Sequence, residues 1–250
     1  MRRAFSVLAA ASVLALLRAG ASSDHASLTG MPLIQTAVAG FPEYHKIDTL
    51  FERDERFVVD VNRLKKSVIG TISVWDVTEK IDGTNIRVML GEDGTVQYGG
   101  RTDAAMVPAD LIKYLMLTFP AESLRAAFWI DGVPTSAVLY GEGYGAGIQK
   151  GGSYRSDKAF ILFDVLVGGK WWLDWDAVCD VAIKLNIDRV PFWGRMTLDE
   201  IVNLVQPGFA SMIGGQAEGI VARPIETLFD KRGERLIIKL KTKDFKPGRR

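Results

Sequence analysis

Lys80 is the residue whose surroundings first suggest chemistry. It stands in Glu79-Lys80-Ile81-Asp82-Gly83-Thr84-Asn85. A lysine amine can form a covalent intermediate once it is neutral. Gly83, three residues on, lets the backbone turn sharply or approach a ligand closely. A K-x-D-G string alone would arise by chance in roughly a few per cent of chains this long. It gains weight from an ordered set of strings downstream: Gly100-Arg101-Thr102, Tyr140-Gly141-Glu142-Gly143, FILFDV at 160–165, Glu218-Gly219-Ile220-Val221-Ala222-Arg223 and Lys239-Leu240-Lys241. Lysines two apart on a strand share a face. Separate cations with isolated carboxylates suit phosphate and divalent-metal chemistry.

Other chemistries have little material. Cys179 is the only cysteine, so an intrachain disulfide and a thiolate zinc cluster are excluded. His25 and His45 are the only histidines, which leaves little for a Ser-His-Asp triad. With 31 basic and 30 acidic residues the net charge is +1, so any nucleic-acid surface is a local patch. Gly141-x-Gly143-x-x-Ala146 fits a dinucleotide fingerprint, but the Gly147-to-Ser153 string after it does not read as the required helix. A Walker A string is missing too. Trp171, Trp172 and Trp175 could stack on bases; a turn followed by the core face of a helix explains them equally well.

The elements that must position these residues read as α+β, with mainly antiparallel sheets flanked by helices. Residues 71–79 (TISVWDVTE) alternate and predict a strand ending beside Lys80. Strands are predicted at 85–90 and 95–99 around a turn at 92–94, and at 136–141, 159–167, 219–223 and 236–241. Helices are predicted at 108–117, with Pro108 first, and at 121–129 and 175–185. A further helix opens at Thr197-Leu-Asp-Glu200, a capping-box signature. Residues 143–157 read as a glycine-rich loop. With 48% hydrophobic residues, the 250-residue chain suits one domain plus a short appendage.

That appendage is residues 1–30. Arg2 and Arg3, an apolar run over 4–17 and Ala19-Gly20-Ala21 resemble a secretory signal. The run is short for a membrane span and Arg18 comes directly after it. A transit peptide is a second reading, and a true start at Met31 a third. The expectation is that 1–30 lie outside a domain formed by 31–250.

Taken in order, these strings resemble motifs I, Ia, III, IIIa, IV and V of the covalent nucleotidyltransferase superfamily. The K-x-x-G-T-N form of the first is most similar to the RNA ligase 2 branch and related phage RNA ligases. The resemblance runs from about Tyr44 to Phe245 and implies the nucleotidyltransferase fold of ATP-dependent ligases. It implies that Lys80 attacks the α-phosphorus of ATP and becomes lysyl-AMP, and that its pKa is lowered for the purpose. Lys239 and Lys241 match the lysines that contact the α-phosphate. Glu218 matches the acid associated with a divalent metal, Mg2+ or Mn2+. Glu142 matches the glutamate used around the ribose, Arg101 an arginine near the nucleotide, and Phe163 the aromatic that stacks on adenine. Glu79 and Ile81, on either side of Lys80, and Asn85 join the nucleotide-binding set.

The resemblance further implies RNA strand ends or nicks as partners, with DNA as the other candidate, and a cytoplasmic location without a membrane partner. Asp82 departs from the histidine often found in RNA ligase 2 relatives. The short stretch after Lys241 predicts a catalytic domain without a C-terminal OB domain, sealing alone or with a partner protein that supplies grip. The basic residues Lys243, Lys246, Arg249 and Arg250 would contact a nucleic-acid backbone or form a solvated tail. Three alternatives stay open: a DNA ligase, a capping-type guanylyltransferase, and a non-catalytic end-binding module. Capping enzymes usually carry arginine where Asn85 stands.

Overall fold

The computed structural model describes residues 41–130, 132–149 and 154–246. The signal-like segment, the Met31 start and the last four residues fall outside these. In chain order the strands are β1 (Asp48–Thr49), β2 (Phe51–Arg53), β3 (Val59–Leu64), β4 (Trp75–Lys80), β5 (Thr84–Leu90), β6 (Val96–Gly100), β7 (Trp129–Ile130), β8 (Val133–Pro134), β9 (Ala137–Tyr144), β10 (Ala159–Val167), β11 (Trp171–Trp172), β12 (Phe192–Met196), β13 (Gly219–Pro224) and β14 (Ile238–Lys241). The helices are α1 (Ala109–Thr118), α2 (Ala121–Ala127), α3 (Trp175–Leu185) and α4 (Leu198–Val205).

Two five-stranded sheets dominate the described residues. One has the order β1-β14-β13-β4-β12 and the other β11-β10-β9-β5-β6. Pairing is antiparallel except between β1 and β14. The expected α+β class with antiparallel sheets is what forms. Each sheet has its own apolar core. Ile86, Val88 and Leu139 of the second sheet pack with Leu111, Leu115 and Leu124 of α1 and α2 and Val178 of α3. Val77, Ile220 and Leu240 of the first pack with Ile201 and Val205 of α4 and with Phe51 and Ile69. On the other face of the second sheet, Tyr44 packs with Met89, Val138, Tyr140 and Leu166.

Several boundaries differ from the sequence reading. The strand expected over 71–79 is only Trp75–Lys80, because Ser67–Thr71 turn into a 3₁₀ helix that buries Ile69. Pro108 caps α1 rather than opening it, with extended ψ at 137°. The strand expected at 136–141 continues to Tyr144, into the expected glycine-rich loop. The reason is close packing: a Cβ on Gly141 would stand 2.2 Å from the Phe160 ring. No helix appears among residues 145–149, so the dinucleotide fingerprint has no phosphate-binding helix beside it. The capping box at Thr197 and Glu200 forms with both reciprocal hydrogen bonds.

Trp175 is buried in the core, whereas Trp171 is exposed on an edge strand. Among the described residues no helix is long and apolar enough to cross a membrane.

Candidate active site

Lys80 ends β4, and β5 begins at Thr84 in the other sheet. The Ile81-Asp82-Gly83 link therefore crosses between sheets instead of closing a hairpin. Gly83 permits the crossing: a Cβ there would sit 2.3 Å from the Gly143 carbonyl oxygen. The cleft between the sheets opens at this link, with a volume of about 390 Å³. That is within the range of small-molecule sites.

Strand register assembles one wall. Gly219 of β13 stands opposite Lys80 on one side and Lys241 on the other. Val221 likewise stands between Thr78 and Lys239. A side chain at Gly219 would meet the Leu240 carbonyl oxygen at 2.1 Å, so glycine lets the three strands close up. Glu218, just before β13, reaches both lysines: Lys80 Nζ is 2.7 Å from one carboxylate oxygen and Lys241 Nζ 2.5 Å from the other. On the opposite wall, register pairs Asn85 with Glu142. A β-bulge in β10 between Leu162 and Asp164 turns Phe163 out of the regular alternation, and Phe163 lines the cleft.

Lys80, Ile81, Asn85, Arg101, Glu142, Phe163, Lys239 and Lys241 thus border one cleft, and Glu218 touches two of them. Glu79 borders it as well, but its carboxylate is engaged elsewhere. It accepts hydrogen bonds from Ser211 Oγ at 2.5 Å, the Met212 amide at 3.1 Å and Trp193 Nε1 at 3.4 Å.

The cleft also includes residues that the sequence reading missed. Tyr44, His45, Lys46 and Ile47 form a strap along its edge, and Thr78, Val190, Val221 and Arg223 complete the lining. Val221 and Arg223 follow Gly219 at intervals of two, a signal available in the sequence. The strap has none, since it reaches the site through the β1–β14 pairing across most of the chain. The Tyr44 hydroxyl donates to Asp164 at 2.7 Å, and Arg235 donates to the same oxygen at 2.7 Å. Arg223 stands 3.5 Å from the other Asp164 oxygen. Asp164 is therefore a structural anion beneath Phe163.

Charge in the cleft is unbalanced. Lys46, Lys80, Arg101, Arg223, Lys239 and Lys241 line it against Glu79, Glu142 and the adjoining Glu218. Burial, with Lys241, Lys80 and Lys46 nearby, lowers the Lys239 ammonium below its ordinary value. Burial pushes the Glu142 carboxyl up to about 7, with Lys80 opposing and Glu218 and Asp82 reinforcing. Burial pushes the His45 imidazole down to about 4, and Arg235 adds to that.

Lys80 corrects an expectation. Burial works to lower its pKa, but Glu218 and Glu142 outweigh burial and hold it above the ordinary lysine value. In this arrangement Lys80 is an ammonium. Glu218 is held below its ordinary value by Lys80 and Lys241, against burial.

The described residues contain no group of three or more His, Cys, Asp or Glu side chains fit to hold a metal. Glu218 is the acid at this point, and a single carboxylate with lysines on both oxygens fits a divalent ion only as one ligand among phosphate and water oxygens.

Comparison with known proteins adds to this geometry. The RNA ligase family matches residues 73–241. No curated protein matches. Among solved structures, the Naegleria gruberi RNA ligase with PPi is similar at 19% identity and a TM-score of 0.58, over 86% of this chain and 62% of that one. A lysine-to-methionine mutant of that ligase with AMP and Mn gives 17% identity and a TM-score of 0.58, again over 86% and 62%. A lysine-to-alanine mutant with ATP and Mn gives 17% and 0.57, over 82% and 62%. The chain spans about 62% of the length of these ligases.

Proposed function

This chain belongs to the RNA ligase family, and from that premise we propose that it is an ATP-dependent polynucleotide ligase working through lysyl-AMP on Lys80. One observation carries the reading. Lys80, Glu218 and Lys241, from three distant parts of the chain, converge around Gly219, with Lys239 on the same strand as Lys241. A single nucleophile among cations, beside an isolated carboxylate, suits attack on a phosphoanhydride.

In the first step the Lys80 amine attacks the α-phosphorus of ATP. The N–P bond forms, the bond to the bridging oxygen breaks, and pyrophosphate leaves. Lys239 and Lys241 offset charge on the phosphate oxygens. Lys80 must first lose its proton, and the Glu218 contact opposes that. A divalent ion at Glu218 would neutralise the carboxylate and polarise phosphate oxygens. With Glu218 so engaged, burial and the neighbouring lysines would favour the neutral amine, opposed only by Glu142 and Asp82. Phe163 stacks on the adenine and Glu142 and Asn85 meet the sugar. Glu79 stands beside the base with its carboxylate and its amide N–H both occupied, so it shapes this end of the cleft. AMP then passes to a 5′-phosphate, freeing the Lys80 amine, and a 3′-hydroxyl attacks that phosphate, breaking its anhydride bond and releasing AMP as the two RNA ends join.

The reading is supported by the family, by the fold shared with ligases described with ATP, AMP and Mn, and by the cationic lining. It is tested by incubating the protein with α-labelled ATP or GTP and Mg2+. Label from ATP joins the wild type and none joins Lys80→Ala. Absence of label in the wild type, or equal labelling of Lys80→Ala, overturns it. Labelling from GTP instead points to capping chemistry. Nicked RNA, nicked DNA and single-stranded RNA then identify the ends that are sealed.

A further inference from the structure

Arg87 is fully buried in the middle of β5, with no exposed surface. It lies outside the cleft, yet each of its three nitrogens is engaged. Nε donates to the Gly100 carbonyl at 2.8 Å, Nη2 to Asp103 at 2.7 Å, and Nη1 to the Phe41 carbonyl at 3.2 Å. Gly100 and Asp103 bracket Arg101, which lines the cleft. Phe41 begins the strap that brings Tyr44, His45, Lys46 and Ile47 to the cleft edge. The strap has a second tether beside the first, where the Tyr140 hydroxyl donates to the Pro42 carbonyl at 2.8 Å.

Burying a guanidinium is costly even when it is paired, and an apolar side chain of similar volume is often as stable or more so. What an arginine supplies that such a side chain cannot is a planar fork of donors in fixed directions. Here the fork joins the exposed Arg101 loop to the start of a strap that is otherwise held through Pro42 and Tyr44. Arg101 comes directly after the last residue of β6 and is exposed, and residues 103–106 are exposed. The strap from 41 to 47 is extended without regular pairing. Packing holds the strap at Tyr44, whereas the exposed loop at 103–106 has little of it, and the fork ties that loop to the Phe41 end of the strap.

We propose that Arg87 is a positioning residue for nucleotide capture: its guanidinium sets the Arg101 loop and the Phe41–Ile47 strap at the rim of the cleft. It acts through Arg101 and the strap and does not itself touch the nucleotide. The proposal rests on the ligase reading of the Lys80 cleft, but its structural half can be tested without that reading.

The first test is amide hydrogen exchange on the full chain. Arg87→Met keeps the buried volume and removes the fork. It is expected to fold, at a cost in stability for the carbonyls left without their donor, with faster exchange concentrated at 100–105 and at the Phe41 end of the strap. Asp103→Asn, at a half-exposed side chain, loosens the loop alone. Unchanged protection of both segments in Arg87→Met overturns the proposal, whatever the protein's activity. If Arg87→Met does not fold, Arg87→Lys replaces it: one ammonium cannot reach three acceptors, so the same two segments should loosen.

The second test is ATP labelling of Lys80. Arg87→Lys and Arg87→Met are expected to lower kcat/KM by about tenfold to a hundredfold, mainly through KM, as a misplaced binding group does. In an Arg101→Ala background the additional loss is smaller, because the Arg101 route is already broken and only the strap route remains. An equal loss in both backgrounds overturns the proposal. A wild type that takes up no label overturns the ligase reading instead, and the exchange test still decides the role of Arg87.

Discussion

Glu218 faces two lysines at once, and Glu142 lies close by without a direct cation partner. The two carboxylates therefore respond oppositely to burial: Glu218 is held down, and Glu142 is pushed up to about 7. For a carboxyl raised from 4.5 to about 7, the folded state holds the extra proton between those values. Its stability falls as pH rises through that window, by up to about 1.4 kcal/mol for each unit. Glu142→Gln removes this dependence. In metal-free buffer, the melting temperature of Glu142→Gln relative to wild type should rise from pH 4.5 to 7 and then level off. A constant offset across that range would show that Glu142 titrates normally. Glu142→Gln is also expected to impair labelling, so the site keeps a carboxylate that costs stability at neutral pH.

Two phenylalanines three residues apart on β10 have different tasks, as an odd spacing on a strand allows. Phe160 is buried against Phe119 and Gly141, whereas Phe163 lines the cleft with its ring edge-on to Tyr44, centroids 5.0 Å apart. Phe160→Ala should cost ~3–5 kcal/mol in urea unfolding, as an emptied core site does. Phe163→Ala should cost distinctly less in unfolding but weaken ATP binding by about fivefold to a hundredfold, the range for loss of one stacking contact. Titration with ATP on both variants separates the two. Equal losses of stability would mean that Phe163 is a core residue. The β4–β5 crossing works at the same scale. By sending consecutive strands to different sheets it leaves Lys80 at the floor of the cleft, where a hairpin would have left it in solvent.

Each sheet has its own core, and the cleft lies between them. A ligand there touches both sheets, so its binding energy opposes separation of the two. ATP or inorganic pyrophosphate at a hundred times its Kd should add ~2.7 kcal/mol to the unfolding free energy. Lys239→Ala should lose most of that gain. Added salt should reduce it, since exposed members of the cationic lining are screened. An unchanged thermal shift in Lys239→Ala would remove Lys239 from the phosphate-binding set. Elsewhere in the molecule, Lys66 holds distant segments together through Asp48, Asp230 and Glu234 at 3.0–3.2 Å. That cluster braces the first sheet through β1.

The sequence by itself determined the residue types and their order. Lys80, Glu142, Glu218, Lys239 and Lys241 were legible because short strings keep neighbouring groups together, and period-two spacing identifies the face on which Lys239 and Lys241 lie. It also determined the α+β class, since the strand and helix periods are local. Tertiary structure alone decided the rest. The strap at Tyr44–Ile47 and the fork of Arg87 depend on contacts between residues far apart in the chain, which leave no local pattern. The protonation of Lys80 departs from expectation for the same reason. From sequence its neighbours were the lysines that resemblance brought near. In the fold Glu218 lies closer than either, and burial is outweighed by that carboxylate together with Glu142 and Asp82.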